Sequence, residues 1–379
     1  MKQRKHYLGR RLLSLLLCMI TIVVGSNLVE PHTVNASSNT KYLSEKEIRA
    51  CESYLGYVTQ CLTNSSGKVI MNNHFYGELA YYLINSGSWC EFPVNLVPSS
   101  QNTTWGQEYK LVNVVKMLTG ILGKKKIRLA EAKTSGLTVR GDKLYVQRAD
   151  GDAYYGAMIV DVKRNSKKNL VVTGYSYKSY DVYCGYVEKN GISNYSPAYM
   201  NTKRFVATYV PDTSCYNGYR LASIKAVKTK NPKVKLNVSS TLIEPGYNHS
   251  KSNLIDGNVA TAWVEGNKKT SIGEKIEITF NKPTKVYGVM LSNGYFKSAT
   301  SFYNNQRMYS LTMRAGNVKK SYTCADFYTS VFPDDKVWYT DAILFDQPVT
   351  TKKVTLTVDA VNSGKKYSDL CVSELLVLQ

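Results

Sequence analysis

The segment from Asn253 to Trp263 constrains the fold of this chain more than any other stretch. It contains an apolar pair, then Asp256, Gly257 and Asn258, and it ends on a tryptophan. Asp and Asn side chains accept hydrogen bonds from backbone amides two residues further on, and glycine adopts positive φ without strain. A large aromatic side chain at the end of such a turn is usually buried. The segment therefore predicts a rigid loop that leads into the core of a β-domain.

The chain around this segment has the alternating pattern of β-strands with one buried face. From residue 236 onward, runs of alternating apolar and polar residues are separated by turn sequences such as Asn293-Gly294. Two of the predicted strands are 274–280 and 286–292, with a turn at 281–283. About eight short strands with long connections favour a jelly-roll sandwich for residues 236–379.

The residues before this β-domain change their periodicity from helical to alternating near residue 142. Ser44 and Glu47 have the spacing of a capping box, which marks the start of a helix. Helical periodicity predicts helices over about 45–64, 72–85 and 107–122. Alternation then predicts strands at 143–148, 155–162, 170–177, 182–188, 204–210 and 219–228.

Helices followed by an antiparallel curved sheet indicate an α+β domain, which we assign to residues 37–228. The order of these elements is similar to that of the cone-shaped nuclear-transport-factor-like folds, in which helices lie in the concavity of the sheet. Residues 229–235 are basic and contain a proline, and we interpret them as a linker. The sequence therefore predicts a multidomain chain with an α+β domain and an all-β domain.

The first 36 residues have the composition of a secretory signal peptide. A basic head is followed by the apolar run Leu12 to Val24, and Val34-Asn35-Ala36 is a small-residue cleavage site. The apolar run is shorter than the ~18 residues of a membrane-spanning helix. We therefore expect cleavage after Ala36, secretion to a bacterial envelope or its surroundings, and no transmembrane segment in the mature chain.

The chain is strongly basic, with 49 Lys and Arg against 28 Asp and Glu and a net charge of +21. Removing the signal peptide takes away five basic residues and Glu30, which leaves +17. Such a charge attracts polyanions, and for a secreted protein these are anionic cell-wall polymers and acidic glycans instead of nucleic acid. The alternative is that the lysines only keep the protein soluble.

Cysteine and histidine limit the chemistry available to the mature chain. An odd number of cysteines remains after cleavage, so they cannot all pair within one chain. The pairs Cys324 with Cys371 and Cys184 with Cys215 each fall within one predicted domain and are possible disulfides. Only His74 and His249 remain, so we predict no metal site, no cofactor and no histidine-based catalytic triad.

Several separated segments together resemble the NAD glycohydrolase translocation domain, a discoidin-like member of the coagulation factor 5/8 type C superfamily. The segments are Asn253–Asn258, Thr261–Trp263, Gly273–Glu274, Asn293–Tyr295, Tyr303–Arg307 and Ser368–Glu374. The resemblance covers about residues 236–379 and implies a jelly roll that binds glycans or cell surfaces through loops at one end. The family often has Asp-Asp-Thr where this chain has Ser368-Asp369-Leu370. The two domains account for the mature chain, so we do not extend the family name to an NAD-cleaving activity.

Within this domain we distinguish structural residues from ligand-binding residues. Asp256, Trp263 and Glu374 are expected to build the frame of the barrel. Sugar recognition needs an aromatic face and planar donors and acceptors. Residues of these types occur together in one long connection, and we predict them to bind a ligand: Asn293, Tyr295, Lys297, Tyr303, Asn304 and Arg307. The alternative is that Asn293-Gly294 forms a turn and Arg307 pairs with an acid beneath it.

The function predicted from these features is that of a secreted or cell-surface, non-catalytic protein that binds glycans or cell-envelope polymers. One alternative is a hydrolase in the α+β domain that uses carboxylates such as Asp150, Asp152 or Asp181. Another is a protein-interaction module, for example an inhibitor or an accessory factor for toxin delivery.

Overall fold

A computed structural model describes residues 41–86, 96, 98, 100–103, 106–148, 153–180, 199–267, 269–328 and 338–379. Residues 36–379 form one compact unit, which contains an α+β lobe and an all-β lobe. The predicted fold class is confirmed. The predicted signal peptide and the predicted strand 182–188 lie outside the described residues.

The helices of the α+β lobe are α1 (Glu45–Cys61), α2 (Asn73–Ser86) and α3 (Leu111–Leu122), with a 3-10 turn at Leu129–Glu131. The capping box at the start of α1 is confirmed, since Glu47 Oε2 accepts a hydrogen bond from the Ser44 amide at 2.7 Å and the Ser44 hydroxyl accepts one from the Glu47 amide. The apolar face of α1 is buried, as its periodicity predicts. No helix in the described part of the chain is long and apolar enough to span a membrane.

The third helix starts later than predicted because residues 106–110 form a strand. The strands β1 (Ser100–Thr103), β2 (Gly106–Lys110), β3 (Leu137–Arg140) and β4 (Lys143–Gln147) build a sheet in the order β1-β2-β4-β3. Glu108 of β2 lies opposite Tyr145 of β4 in an antiparallel ladder. Pairing with a partner more than thirty residues away thus overrides the local helical pattern.

A larger antiparallel sheet lies beneath α1. Four of its five strands are β5 (Ala153–Arg164), β6 (Leu170–Tyr180), β7 (Tyr199–Pro211) and β8 (Tyr219–Lys228). Helix α1 crosses this sheet where Gly56 meets Gly156, and a Cβ atom on Gly56 would lie 2.6 Å from the Gly156 carbonyl carbon. The two glycines therefore allow the helix and the sheet to approach closely.

The all-β lobe is built on one seven-stranded antiparallel sheet. Its core contains the fully buried Trp263. The lobe also has a 3-10 helix at Lys251–Ile255 and the short helix α4 (Ala299–Asn304). The strands are β9 (Val234–Val238), β10 (Trp263–Val264), β11 (Lys275–Asn293), β12 (Arg307–Ala315), β13 (Val318–Thr323), β15 (Asp341–Asn362) and β16 (Cys371–Leu378). Their order in the sheet is β10-β16-β11-β15-β12-β13, and β9 pairs with β11.

The turn predicted at 281–283 is wrong, because β11 runs without interruption through this segment. The register of β11 against β15 shifts between Thr279 and Thr284. A shift of this kind bends a strand without ending it, and it accommodates Pro283, which has no amide hydrogen to donate. The two strands predicted at 274–280 and 286–292 are therefore parts of one long strand, β11.

The two lobes are joined by specific contacts. The short strand β14 (Trp338–Tyr339) of the C-terminal part pairs with β7 of the first lobe. Lys285 Nζ lies 2.7 Å from the Asp161 carboxylate, and the Tyr175 hydroxyl donates to the Gln379 carbonyl at 2.6 Å. Asn231, in the segment predicted as a linker, donates to the Leu375 carbonyl at 2.7 Å and accepts from the Val377 amide at 2.9 Å. Thr229 of the same segment donates to the Thr202 carbonyl of the first lobe at 2.6 Å. The segment therefore packs against both lobes, and the division at 229–235 stays a prediction.

Candidate functional site

The loop at residues 256–261 is held by carboxylates. Asp256 accepts hydrogen bonds from the Asn258 amide at 2.9 Å and the Thr261 hydroxyl at 2.8 Å. Glu374 also accepts from the Asn258 amide at 2.9 Å, and its burial raises its pKa to about 8. Trp263 donates from Nε1 to the Ser240 carbonyl at 3.0 Å. All three residues predicted to be structural thus contribute contacts to the frame of the lobe.

Two of the predicted ligand residues, Asn293 and Arg307, lie beneath the surface. The Asn293 side chain is fully buried and exchanges hydrogen bonds with the Met308 backbone at 2.8 and 3.0 Å. Arg307 is 5% exposed, pairs with Asp326 at 2.5 Å, and donates to the carbonyls of Phe302 and Asn305. These contacts match the alternative in which Arg307 pairs with an acid, and they leave both side chains engaged within the protein.

Tyr303 and Asn304 lie beside the loop that precedes β16. The Tyr303 carbonyl accepts from the Lys365 amide at 2.9 Å, and Lys365 Nζ lies 5.2 Å from the centre of the Tyr303 ring. The Asn304 carbonyl accepts from the amides of Lys366 and Tyr367. Lys297 is exposed. The structure therefore distributes the six predicted residues among different environments.

Tyr295 belongs to a cluster of side chains that no local sequence pattern predicts. It packs beside Ala262, Val264 and Cys371, and burial raises its pKa, with further contributions from Tyr247 and Glu244. This places it near the irregular segment between β9 and the 3-10 helix. We call Glu244, Tyr247, His249, Tyr295 and Asp369 the Tyr247 cluster.

The Tyr247 cluster combines an exposed ring with several polar groups. Tyr247 is 62% exposed, and its ring lies parallel to the His249 ring, with centroids 5.9 Å apart and planes 4° apart. His249 Nε2 lies 3.1 Å from the Glu244 carboxylate. Burial raises the pKa of Asp369, Glu244 raises it further, and His249 lowers it, so the two carboxylates and the imidazole are close enough to influence one another.

The chemistry of this cluster suits hydroxyl-rich ligands. An exposed aromatic ring offers a flat apolar face to the C–H surface of a sugar. Carboxylates accept hydrogen bonds from hydroxyl groups, and a His ring accepts or donates one. The signal in the sequence was the rarity of histidine, since His249 is one of four in the chain, but no periodic pattern surrounds it.

The proposed disulfide between Cys324 and Cys371 is not formed, because both thiols are free. Cys324 packs in the main core of the lobe, whereas Cys371 packs in a separate cluster with Ala262 and Val264. Cys215 is also a free thiol, and its proposed partner Cys184 lies outside the described residues. Because the Cys215 thiol is free, the second possible disulfide is not formed either.

Other candidate chemistry is limited in the described part of the chain. No group of three or more His, Cys, Asp or Glu side chains there is arranged to hold a metal ion. Asp150, Asp152 and Asp181, the residues of the alternative hydrolase hypothesis, lie outside the described residues. The Tyr247 cluster is therefore the strongest candidate site in the all-β lobe.

Comparison with known families identifies the C-terminal lobe. Residues 227–378 match the family described as the NAD glycohydrolase translocation F5/8 type C domain. The resemblance predicted from the separated sequence segments is confirmed. No curated protein matches the chain at a significant level.

Similar solved structures include carbohydrate-binding modules. A family 32 module of Clostridium perfringens NanJ in complex with galactose is 18% identical, with 38% of this chain and 92% of that chain covered and a TM-score of 0.26. An F5/8 type C domain from Bacteroides fragilis is 13% identical, with 39% and 92% covered and a TM-score of 0.29. The mycobacterial arabinofuranosyltransferase AftD is 18% identical with a TM-score of 0.28; the match covers 38% of this chain but only 10% of AftD.

Proposed function

We propose that this protein is a secreted, non-catalytic binding protein whose all-β lobe holds neutral glycans at the Tyr247 cluster. The observation that carries the proposal is the exposed Tyr247 ring, stacked parallel on His249 beside the Glu244 carboxylate. The ring provides a stacking face, and the groups around it provide hydrogen-bonding partners for sugar hydroxyls.

The charge of the cluster favours neutral sugars over acidic ones. Glu244 pairs with the His249 ring, which lies beside the Tyr247 ring, and the Asp369 carboxyl group interacts electrostatically with Glu244 and His249. An acidic sugar placed there would bring a further negative charge close to them, which is unfavourable. The strongly basic remainder of the chain would instead strengthen attachment to anionic wall polymers over a longer range. Attachment would thus combine a specific neutral-sugar site with a non-specific, salt-sensitive attraction.

Binding of the full chain to a glycan array at 0.15 M salt tests this proposal. We expect neutral glycans to be retained, and we expect Tyr247→Ala and Glu244→Gln each to weaken retention at least tenfold, which corresponds to about 1.4 kcal/mol. Tyr309→Ala is the matched control, because Tyr309 is another exposed tyrosine of the same lobe, on β12. No retention of any neutral glycan, or equal losses for Tyr247→Ala and Tyr309→Ala, would refute the site.

The family match favours a second candidate function, that of an accessory factor in the delivery of another protein. The matching family is described by its role in translocation, and the match covers the whole all-β lobe. Chemical cross-linking of the full chain in the secreted fraction of its own culture, followed by mass spectrometry, tests this function. A recurrent protein partner cross-linked to the all-β lobe would support it, and the absence of any partner would oppose it.

A further inference from the structure

The α+β lobe contains a cavity that the proposed glycan-binding function does not use. It lies between α1, α3 and the segment before β8, and its volume is about 190 Å³. Its walls are largely apolar and include Ala50, Tyr54, Ile121 and Tyr216. Pockets for drug-sized ligands start at roughly 300 Å³, so this cavity suits a smaller molecule.

The residues at the floor of the cavity are buried and uncharged. Cys51 and Tyr54 are each 3% exposed, and the Tyr54 hydroxyl lies 2.5 Å from the Tyr209 hydroxyl. Burial raises the pKa of Cys51 to about 11, so its thiol is neutral at physiological pH and a poor nucleophile. The Tyr54 hydroxyl at the floor is therefore already hydrogen-bonded within the protein. An apolar cavity of about 150 Å³ in another protein binds benzene, so a single aromatic ring is the matching size here.

The wall formed by Tyr216 supports a flat ligand. A Cβ atom on Gly120 would lie 2.1 Å from the Tyr216 ring, so this ring lies directly against the backbone of α3. Tyr216 is nevertheless 38% exposed, so part of the ring remains uncovered. Such a ring can pack against a second aromatic ring in an offset or edge-to-face arrangement.

Lys46 and Glu47 place one positive and one negative charge at the mouth of the cavity, and Lys46 is the more exposed of the two. Lys46 and Glu47 both line it, but the Glu47 carboxylate is engaged by the Ser44 amide and hydroxyl at 2.7 Å each. Lys46 is exposed, and it has no salt bridge to any residue that the structure describes. A ligand with an anionic group next to its apolar body would therefore complement both the walls and the mouth.

We propose that this cavity binds a small aromatic carboxylate, with the ring between Tyr54 and Tyr216 and the carboxylate at Lys46. The proposal concerns the α+β lobe and does not depend on glycan binding by the other lobe. No bond is made or broken, since the neutral Cys51 thiol only forms part of the floor.

Titration of the full chain with phenylacetate and its neutral analogue phenylacetamide tests the proposal, with saturation-transfer NMR and calorimetry as readouts. We expect phenylacetate to bind at least fivefold more tightly than phenylacetamide. Lys46→Gln should abolish this preference while phenylacetamide binding stays unchanged. Lys126→Gln is the control, because Lys126 is exposed and does not line the cavity. Ala50→Phe should fill the cavity and reduce binding of both compounds at least tenfold.

Circular dichroism and the thermal midpoint establish that each variant folds, and Ala50→Leu replaces Ala50→Phe if the larger side chain is not tolerated. Absence of phenylacetate binding to the wild type, or unchanged binding by the folded cavity-filling variant, would overturn the site. Equal affinities of the wild type for the two compounds, or equal effects of Lys46→Gln and Lys126→Gln, would overturn the role of Lys46.

Discussion

Asp341 is a buried carboxyl group at the start of β15, next to the short strand that pairs with the first lobe. It accepts hydrogen bonds from the Ala325 amide and the Thr340 hydroxyl, both at 2.8 Å. Burial raises its pKa to about 7, although these hydrogen bonds act in the opposite direction. In the folded protein Asp341 therefore keeps its proton at pH values where an unfolded aspartate, with a pKa of about 3.9, has lost it.

This difference makes stability depend on pH. Because the folded state binds the proton more tightly, the contribution of Asp341 is fully present below about pH 4 and is lost as pH rises towards 7. We expect Asp341→Asn, which cannot ionise, to gain about 2–4 kcal/mol in free energy of unfolding relative to the wild type between pH 4.5 and 7.5. Urea unfolding across this range measures the difference.

The control for this prediction is Asp359→Asn, which changes an exposed aspartate on the same strand. It should leave the slope of stability against pH close to that of the wild type. Parallel pH profiles for Asp341→Asn and the wild type would show that Asp341 ionises normally in the folded state.

At the scale of elements, the contact between α1 and β5 depends on two residues without side chains. The Cβ atom of an alanine at position 56 would lie 2.6–2.7 Å from the Gly156 backbone, which is closer than a Cβ atom approaches atoms not bonded to it in folded proteins. Neighbouring positions of α1 bury Leu55 and Val58 against the same core, so the helix cannot move away without exposing apolar surface.

We expect Gly56→Ala to destabilise the protein by about 1–3 kcal/mol, because overpacking outweighs the higher helix propensity of alanine. Denaturant unfolding measures this change. Lys46→Ala, at an exposed position of the same helix, should be neutral or slightly stabilising. A gain in stability for Gly56→Ala would contradict the close packing of helix and sheet.

At the scale of the whole molecule, the two lobes are held together by contacts spread over their junction. Thr229 donates from its amide and hydroxyl to the Thr202 carbonyl of the first lobe, at 3.1 and 2.6 Å. Two residues later, Asn231 bonds to the backbone of β16 in the second lobe. Strand β14 adds backbone pairing with β7. These contacts favour unfolding of both lobes as one cooperative unit.

We expect a single calorimetric transition for residues 37–379, and a lower thermal midpoint for Asn231→Ala. Loss of two hydrogen bonds costs about 1–3 kcal/mol, which corresponds to a decrease of several degrees, at ~2–4 °C per kcal/mol. Isolated residues 229–379 should melt below the full chain, because they lack the partners of Lys285 and β14. Two transitions, with only one shifted by Asn231→Ala, would show independent domains.

Much of the fold could be predicted from the sequence because the signals are local. The capping box of Ser44 and Glu47, the apolar face of α1 and the alternation of the later strands each depend on residues a few positions apart. The loop at Asn253–Trp263 is also local, since Asp256 bonds to residues 258 and 261. These patterns predicted the presence of both lobes. Together with the family resemblance, they also predicted the fold class of the all-β lobe.

Only the tertiary structure decided which of the candidate residues are available to a ligand. Arg307 and Tyr295 have equally suitable side chains, but Asp326 pairs with Arg307 beneath the surface, whereas Tyr295 interacts electrostatically with Glu244 and Tyr247. The Tyr247 cluster joins Glu244 and His249 to Asp369, more than a hundred residues away. Local sequence determined the strands and turns through hydrogen bonds between near neighbours. The site depends on which distant loops fold together, and no pattern within a single segment specifies that.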